Sequence, residues 1–516
     1  MKKRMMRVPV LILALSLTFL AGCGEKVPAQ PDDKVRPYYE LLVGSFYDSD
    51  GDGTGDLPGV TQKLDYLNDG KPNSNTSLHV GGLWMLPIFP SPTYHKYDAT
   101  DYYSVDPSYG TMEDFDALLR QCGRKNIDVI LDLALNHTSS EHPWFQKACQ
   151  SRAAGAGDYL DWYCFSEEKL PGYSPVPGAH GWYYEAQFWS GMPDLNLDSE
   201  EVRAEILRIC RFWLDKGVAG FRLDAVTSYY SGNTTKNTEF LRWLKTSLTG
   251  DYPDVYLVGE AWSDEGTIGT LYTSGVDTLF AFPLAQSTGT LISDVRSGDG
   301  AHLAGKLAAW QRTVLEKNPL AIDGPFLTNH DMARSAGALM GKLTLQKQAA
   351  AVYLLLPGNP YLYYGEELGM TGGGAKDEDK RMPMVWSSAE KTGIPNPPPN
   401  ATNTEPLAAG VKEQLKDKDS LLRFYVDALK VRARHPALAR GVLTAADTGE
   451  DAVCGYTVSN GGETLEVYHN LGDAPVTVPA HGALTDTLSA GGEKPALAGD
   501  TLHLPPYSTA ILQVSP

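Results

Sequence analysis

The chain has 516 residues and a formal net charge of −19, with 42% apolar and 21% charged side chains. That balance excludes a disordered or membrane-embedded chain, and the negative charge argues against a nucleic-acid partner, whose phosphates it would repel. The length suits two to four domains around a large core.

The N-terminus reads as an export signal. Lys2, Lys3, Arg4 and Arg7 form a basic start, and Val8 to Gly22 is an apolar run of 15 residues, too short for a comfortable membrane span. The run ends Leu20-Ala21-Gly22-Cys23, small residues before a cysteine, which resembles a bacterial lipoprotein signal. Residues 1–22 are thus expected to be removed and Cys23 lipidated, leaving an exported protein anchored at the bacterial cell surface. Residues 23–35 are polar and contain proline, the composition of a flexible tether. Five further cysteines (Cys122, Cys149, Cys164, Cys210, Cys454) include no CxxC or His/Cys cluster, so no structural zinc is expected. Export permits disulfides; a Cys149–Cys164 pair and buried free thiols both fit, and an odd count leaves at least one unpaired.

From about residue 36 to 370, short β-rich runs alternate with amphipathic helical stretches such as Ser199–Asp215 and Leu343–Leu356. The runs are Tyr39–Phe46, Gly82–Pro87, Asp128–Leu135, Gly220–Asp224, Val255–Glu260, Thr278–Phe282, Pro325–Asn329 and Tyr361–Tyr364. Several are apolar throughout, as parallel strands covered on both faces should be. Eight such units predict an α/β chain folded as a (β/α)8 barrel. A doubly wound open sheet is the alternative, but no GxGxxG fingerprint is present. The stretch from Thr138 to Leu197 is rich in Gly, Tyr and Trp without a clear period, so 138–197 reads as a small domain inserted after the third strand. Barrel segments 36–137 and 198–438 flank it. Residues 393–410 read as an exposed loop. Residues 439–516 carry short strands and Gly-rich turns, which predict a C-terminal antiparallel β-sandwich.

In such a barrel the active site forms where strands end, so polar residues closing apolar runs are the candidates. Four ends stand out: Asp132-Leu-Ala-Leu-Asn136-His137, Gly220-Phe-Arg222-Leu-Asp224, Val258-Gly-Glu260-Ala-Trp262 and Phe326-Leu-Thr-Asn329-His330-Asp331. Asp224, Glu260 and Asp331 would ring one mouth from strands 4, 5 and 7. Clustered carboxylates raise one another's pKa, so a chain needing only stability would avoid them. Glycoside hydrolysis needs such a set: one carboxylate to attack the anomeric carbon and one acid to protonate the leaving oxygen. Arg222 lies on the same strand face as Asp224 and would keep it ionised and aimed. An aromatic content of 10% adds weak support, because sugars stack on rings.

These motifs resemble glycoside hydrolase family 13, the α-amylase family, in the family's order and over nearly the whole expected mature chain. DLALNH, GFRLDAV, GEAW and FLTNHD resemble its four conserved regions, and GGLWMLPIFPSP and GNPYLYYGEELGM match flanking ones. The resemblance implies Asp224 as nucleophile, Glu260 as general acid/base and Asp331 as transition-state stabiliser. It implies that Arg222, His137 and His330 line the −1 sugar subsite and that Tyr97, in YHKYDATDYY, stacks on that sugar. Arg381, in RMPMVW, resembles a glucosidase segment that helps line the site. The implied reaction is retaining double displacement on an α-glucan, starch or maltodextrin.

Asp48-Ser-Asp50-Gly-Asp52-Gly-Thr54-Gly-Asp56 alternates acidic side chains with small residues. It starts like an EF-hand loop but lacks the closing bidentate Glu. It resembles instead the calcium loop of oligo-1,6-glucosidase-like members. That implies a structural Ca2+ held by Asp48, Asp50, Asp52, Asp56 and the Thr54 carbonyl. Many α-amylases have a different calcium site, built on the Asn of region one and a His four residues after the nucleophile. Asn136 is present here but position 228 is Ser, which puts that second site in doubt. MPDLN (192–196) resembles signatures between oligo-1,6-glucosidase and neopullulanase types, and Ala225 after the nucleophile goes with α-1,4 preference. An α-amylase is therefore expected, as a monomer. The alternatives are an α-glucosidase, a neopullulanase- or cyclomaltodextrinase-like hydrolase or a 4-α-glucanotransferase of the same family, and a non-catalytic sugar-binding lipoprotein.

Overall fold

The computed structural model describes residues 34–403 and 407–515. The expected leader, Cys23 and the tether as far as residue 33 lie outside the described residues. The strands run β1 (Tyr38–Leu41), β2 (Gly82–Met85) and β3 (Asp128–Leu133), then β4 (Phe165–Ser166), β5 (Tyr173–Pro175) and β6 (Tyr183–Glu185) within the 138–197 stretch. They resume with β7 (Gly220–Leu223), β8 (Tyr256–Gly259), β9 (Thr278–Leu279) and β10 (Tyr361–Tyr363). Seven of them form one parallel sheet in the order β10-β1-β2-β3-β7-β8-β9. Residues 324–326 close it, because Gly324 bridges Phe280 beyond β9 and Phe326 bridges Tyr361 of β10. The result is the expected (β/α)8 barrel. The seventh position is a pair of bridges rather than the strand expected over Pro325–Asn329.

β1, β2, β7 and β8 are buried at every position, as strands between a filled barrel and a helix shell must be. Alternate residues point inward and fill the barrel in layers. At the bottom, the Tyr38 ring stacks on Tyr256 and Tyr361, with centroids 5.4 and 5.2 Å away. Gly82 makes this layer fit: a Cβ there would lie 2.3 Å from the Tyr38 ring. Trp84 and Phe280 stack above, at 5.3 Å. The next inward positions are Glu40, Asp132 and Arg222, so apolar filling gives way to charge near the strand ends. β1 is shorter than the expected run to Phe46, because a 3-10 turn at Val43–Ser45 turns the chain toward the Asp48 loop.

The insertion is a three-stranded antiparallel sheet, β4-β6-β5, tied to the barrel by the bridge His137↔Asp194 and braced within itself by Tyr163↔Leu195. Beyond the barrel come β11 (Val442–Ala445), β12 (Val453–Asn460), β13 (Glu463–Asn470), β14 (Val476–Pro479), β15 (Ala483–Ser489), β16 (Ala496–Ala498), β17 (Thr501–Leu504) and β18 (Ser508–Val514). They form antiparallel sheets β11-β12-β13-β18-β15 and β14-β17-β16, with Tyr468, Val478, Leu502, Leu504 and Leu512 among the side chains between them. All five described cysteines are free thiols, so of the two readings open for Cys149 and Cys164 the structure has the unpaired one.

Candidate active site

The three predicted acids meet at the C-terminal mouth of the barrel. Asp224 follows β7, Glu260 follows β8, and Asp331 follows the bridge at Phe326. Arg222 joins two of them and a fourth acid. Its Nη1 donates to Asp132 Oδ1 at 2.8 Å and Asp224 Oδ1 at 2.6 Å, and its Nη2 lies 3.1 Å from Glu260 Oε2. Arg222 and Asp132 are both fully buried, so the guanidinium compensates charges that water cannot reach.

A second group fixes Asp331. His330 Nδ1 meets Glu40 Oε1 at 2.6 Å and its Nε2 meets Asp331 Oδ2 at 3.1 Å. A ring between two carboxylates donates from both nitrogens, as imidazolium. Burial opposes that charge, but Asp331 and Glu40 outweigh it and raise His330 to about 9. Arg381 Nη2 donates to the other Asp331 oxygen at 2.7 Å and its Nε to the His330 carbonyl at 3.1 Å. Burial works against ionising Asp331, yet His330, Arg381 and Arg222 together hold it well below the ordinary carboxylate range.

Glu260 goes the other way. Burial pushes it up to about 7 against the pull of Arg222, and the charges of Asp224 and Asp331 add to the rise. The mouth thus holds a carboxyl poised to carry a proton at neutral pH beside one held ionised, a separation that marks acid/base sites. Glu260 Oε2 also accepts the Ala225 backbone N–H at 2.9 Å. Ala225 has φ +48°, a strained left-handed conformation for alanine, directly after Asp224.

Tyr97 is buried with its ring parallel to His330, centroids 5.6 Å apart. Its hydroxyl donates to Asp132 Oδ2 at 2.9 Å and lies 2.7 Å from His330 Nε2. His137 packs against the half-exposed Phe188, with centroids 5.1 Å apart. Its Nε2 is buried without a protein partner, and burial lowers its pKa, so the ring is neutral. The predicted catalytic and substrate-binding residues therefore converge on one mouth. Sequence reasoning missed Glu40, Trp84, whose Nε1 donates to Asp132 at 3.1 Å, and Tyr94, whose hydroxyl meets Arg381 at 3.2 Å. Asp132 was legible as a strand-end acid but had no assigned role.

The Asp48 loop is partly assembled. Carboxylate oxygens of Asp48, Asp50 and Asp56 all lie within 4.8 Å of one another and could hold a metal ion. An all-oxygen set suits a hard cation. Asp52 does not join this cluster; it accepts the Thr54 N–H at 2.7 Å. Asp56 also caps helix Leu57–Gln62 by accepting from Gly59 N, which anchors the loop.

Comparison with known proteins decides the lineage. Residues 40–441 match the family model described as alpha amylase, catalytic domain. The chain belongs to the α-amylase family. It is accordingly a glycoside hydrolase by family, and residues 440–511 match a domain of unknown function. Alpha-amylase 3 of Dictyoglomus thermophilum is 36% identical, over 98% of this chain and 97% of that protein. Among solved structures, Amy13B of Eubacterium rectale superposes with a TM-score of 0.89 at 40% identity, covering 95% of this chain and 97% of that one. An α-amylase from H. orenii gives 0.83 at 36% identity, covering 94% and 100%.

Proposed function

We propose that this α-amylase-family chain is an α-amylase that cleaves α-1,4-glucosidic bonds of starch and maltodextrins with retention of configuration. The observation that carries the reading is the single buried guanidinium of Arg222 touching Asp132, Asp224 and Glu260. One cation touching both acids keeps them close, as double displacement requires (roughly 5–5.5 Å between carboxyls). Asp224, paired to Arg222, attacks C1 of the glucosyl unit while Glu260 delivers its proton to the departing oxygen. Glu260 then takes a proton from water as that water attacks C1, which frees Asp224 and restores the acid. Asp331 faces the positive charge that develops on the sugar ring; His137 Nε2, unpartnered in the protein, donates to a sugar hydroxyl. The 36% identity to an α-amylase supports this over the glucosidase, neopullulanase and transferase readings, and a sugar-binding lipoprotein would have no use for so costly a set of acids.

The same reading places Ca2+ in the Asp48–Asp50–Asp56 loop as a structural ion and anchors the exported protein by lipid at Cys23. Glu260→Gln on maltoheptaose tests the chemistry. The rate should fall by about 10²–10⁴, and NMR of the first sugar released by wild type should find the α anomer. A variant as fast as wild type, or a β anomer, would remove the proposal.

A further inference from the structure

The family resemblance raised a second calcium site between the insertion and the barrel, at Asn136. The atoms there are otherwise engaged. Asp194, buried in the insertion, accepts Asn136 Nδ2 on Oδ1 at 3.1 Å and Gln187 Nε2 on Oδ2 at 2.8 Å. The same Gln187 Nε2 donates to the Ser228 carbonyl at 3.0 Å. The Gln187 N–H2 group thus stands between Asp194 Oδ2 and the Ser228 carbonyl, oxygens that would otherwise be open to a cation beside Asn136. Fixed donors already satisfy both, so these residues do not fit a bound ion.

We propose that Gln187 is a metal-free clasp that fastens the insertion to the turn after the nucleophile and thereby positions the catalytic pair. The chain of contacts is short. Ser228 N–H donates to the Ala225 carbonyl at 2.8 Å, and Ala225 N–H donates to Glu260 Oε2 at 2.9 Å. On the barrel side, Asn237 Nδ2 donates to the Thr227 carbonyl at 2.8 Å and its Oδ1 accepts Tyr230 N–H at 2.9 Å. Two carboxamides therefore grip the turn, one from each side. A strained residue such as Ala225, at φ +48°, persists only where its surroundings over-determine it. Gln187 supplies the half of that constraint that comes from the insertion, so the insertion's placement is read directly by the turn that orients Asp224 and Glu260.

Hydrogen exchange by mass spectrometry tests the clasp on the full chain, with the wild type in calcium and in EDTA and Gln187→Ala alongside. EDTA should leave exchange in segments 185–196 and 225–231 of the wild type unchanged. Gln187→Ala should speed both segments by about tenfold or more, as losing two hydrogen bonds implies, and lower kcat by about tenfold while KM stays within about twofold. If EDTA opens both segments in the wild type, an ion holds them with the amide turned round, and the clasp is wrong. If Gln187→Ala leaves both unchanged, the clasp is wrong too. If exchange rises with kcat intact, the positioning role falls. That role rests on the proposed chemistry, whereas the exchange readout does not, so failure of either is distinguishable.

Discussion

Replacing Glu40 by Gln removes one of the two anions that hold His330 charged while keeping the shape and an acceptor for its Nδ1–H. The rise of His330 from 6.5 to about 9 is worth roughly 3 kcal/mol at 1.36 kcal/mol per unit. Because the folded pKa lies above the unfolded one, this stability is complete below about pH 6.5 and disappears as pH climbs through about 9. Glu40 and Asp331 are the two carboxylates responsible, and a buried charge-assisted hydrogen bond is worth about 1.5–3 kcal/mol. Glu40→Gln should therefore cost about 2 kcal/mol at pH 6 and much less at pH 10. Guanidinium unfolding at both values, followed by fluorescence and circular dichroism to check that transitions coincide, measures this. An equal loss at the two pH values would mean that His330 is not an imidazolium, and the account of how Asp331 stays ionised would fail.

Further outcomes concern the acids, the Asp48 loop and the expected anchor. In the proposed mechanism Glu260 enters the reaction protonated, and it sits near 7, so kcat/KM should fall as pH rises through about 7. Asp331→Asn should move that limb downward, because the Asp331 charge contributes to the rise; a limb that stays put would count against the electrostatic link. Removing divalent cations with EDTA should lower the Tm, and Asp48→Asn should melt at the lower temperature with or without calcium. A wild type indifferent to calcium would exclude a structural ion in that loop. In a bacterial host, Cys23→Ala should abolish fatty-acid labelling and release activity from the membrane fraction, whereas persistent labelling would rule out Cys23 as the anchor.

The site was legible where chemistry sits at the end of an apolar run. Asp224, Glu260 and Asp331 each close such a run, and strand periodicity put Arg222 on the face of Asp224. Glu40 was not legible, because one acid inside the four-residue strand YYEL looks the same whether it faces the barrel or a helix. Its partner His330 is 290 residues away. Trp84 stands in an apolar run and is core; that its indole also donates to Asp132 depends on the parallel register of β2, β3 and β7. In the sandwich, the sequence pattern marks strands at 452–458, 463–470, 474–478, 501–504 and 509–514, where β12, β13, β14, β17 and β18 lie, but not β11, β15 and β16. Those three lie at sheet edges, and their largely exposed faces dilute the apolar alternation that marks a strand. The Asp48 loop announced itself by composition, but composition could not say that Asp52 would turn to its own backbone.

The five described thiols are chemically quiet once this chain has folded. Burial pushes Cys122 and Cys210 up to about 12 and Cys149 to about 11, and it raises Cys164 and Cys454 as well. Once the chain has folded, very little thiolate exists at neutral pH, and thiolate is the form that attacks other sulfurs. Among the described residues the native state contains no disulfide, so a reductant has no cross-link there to break.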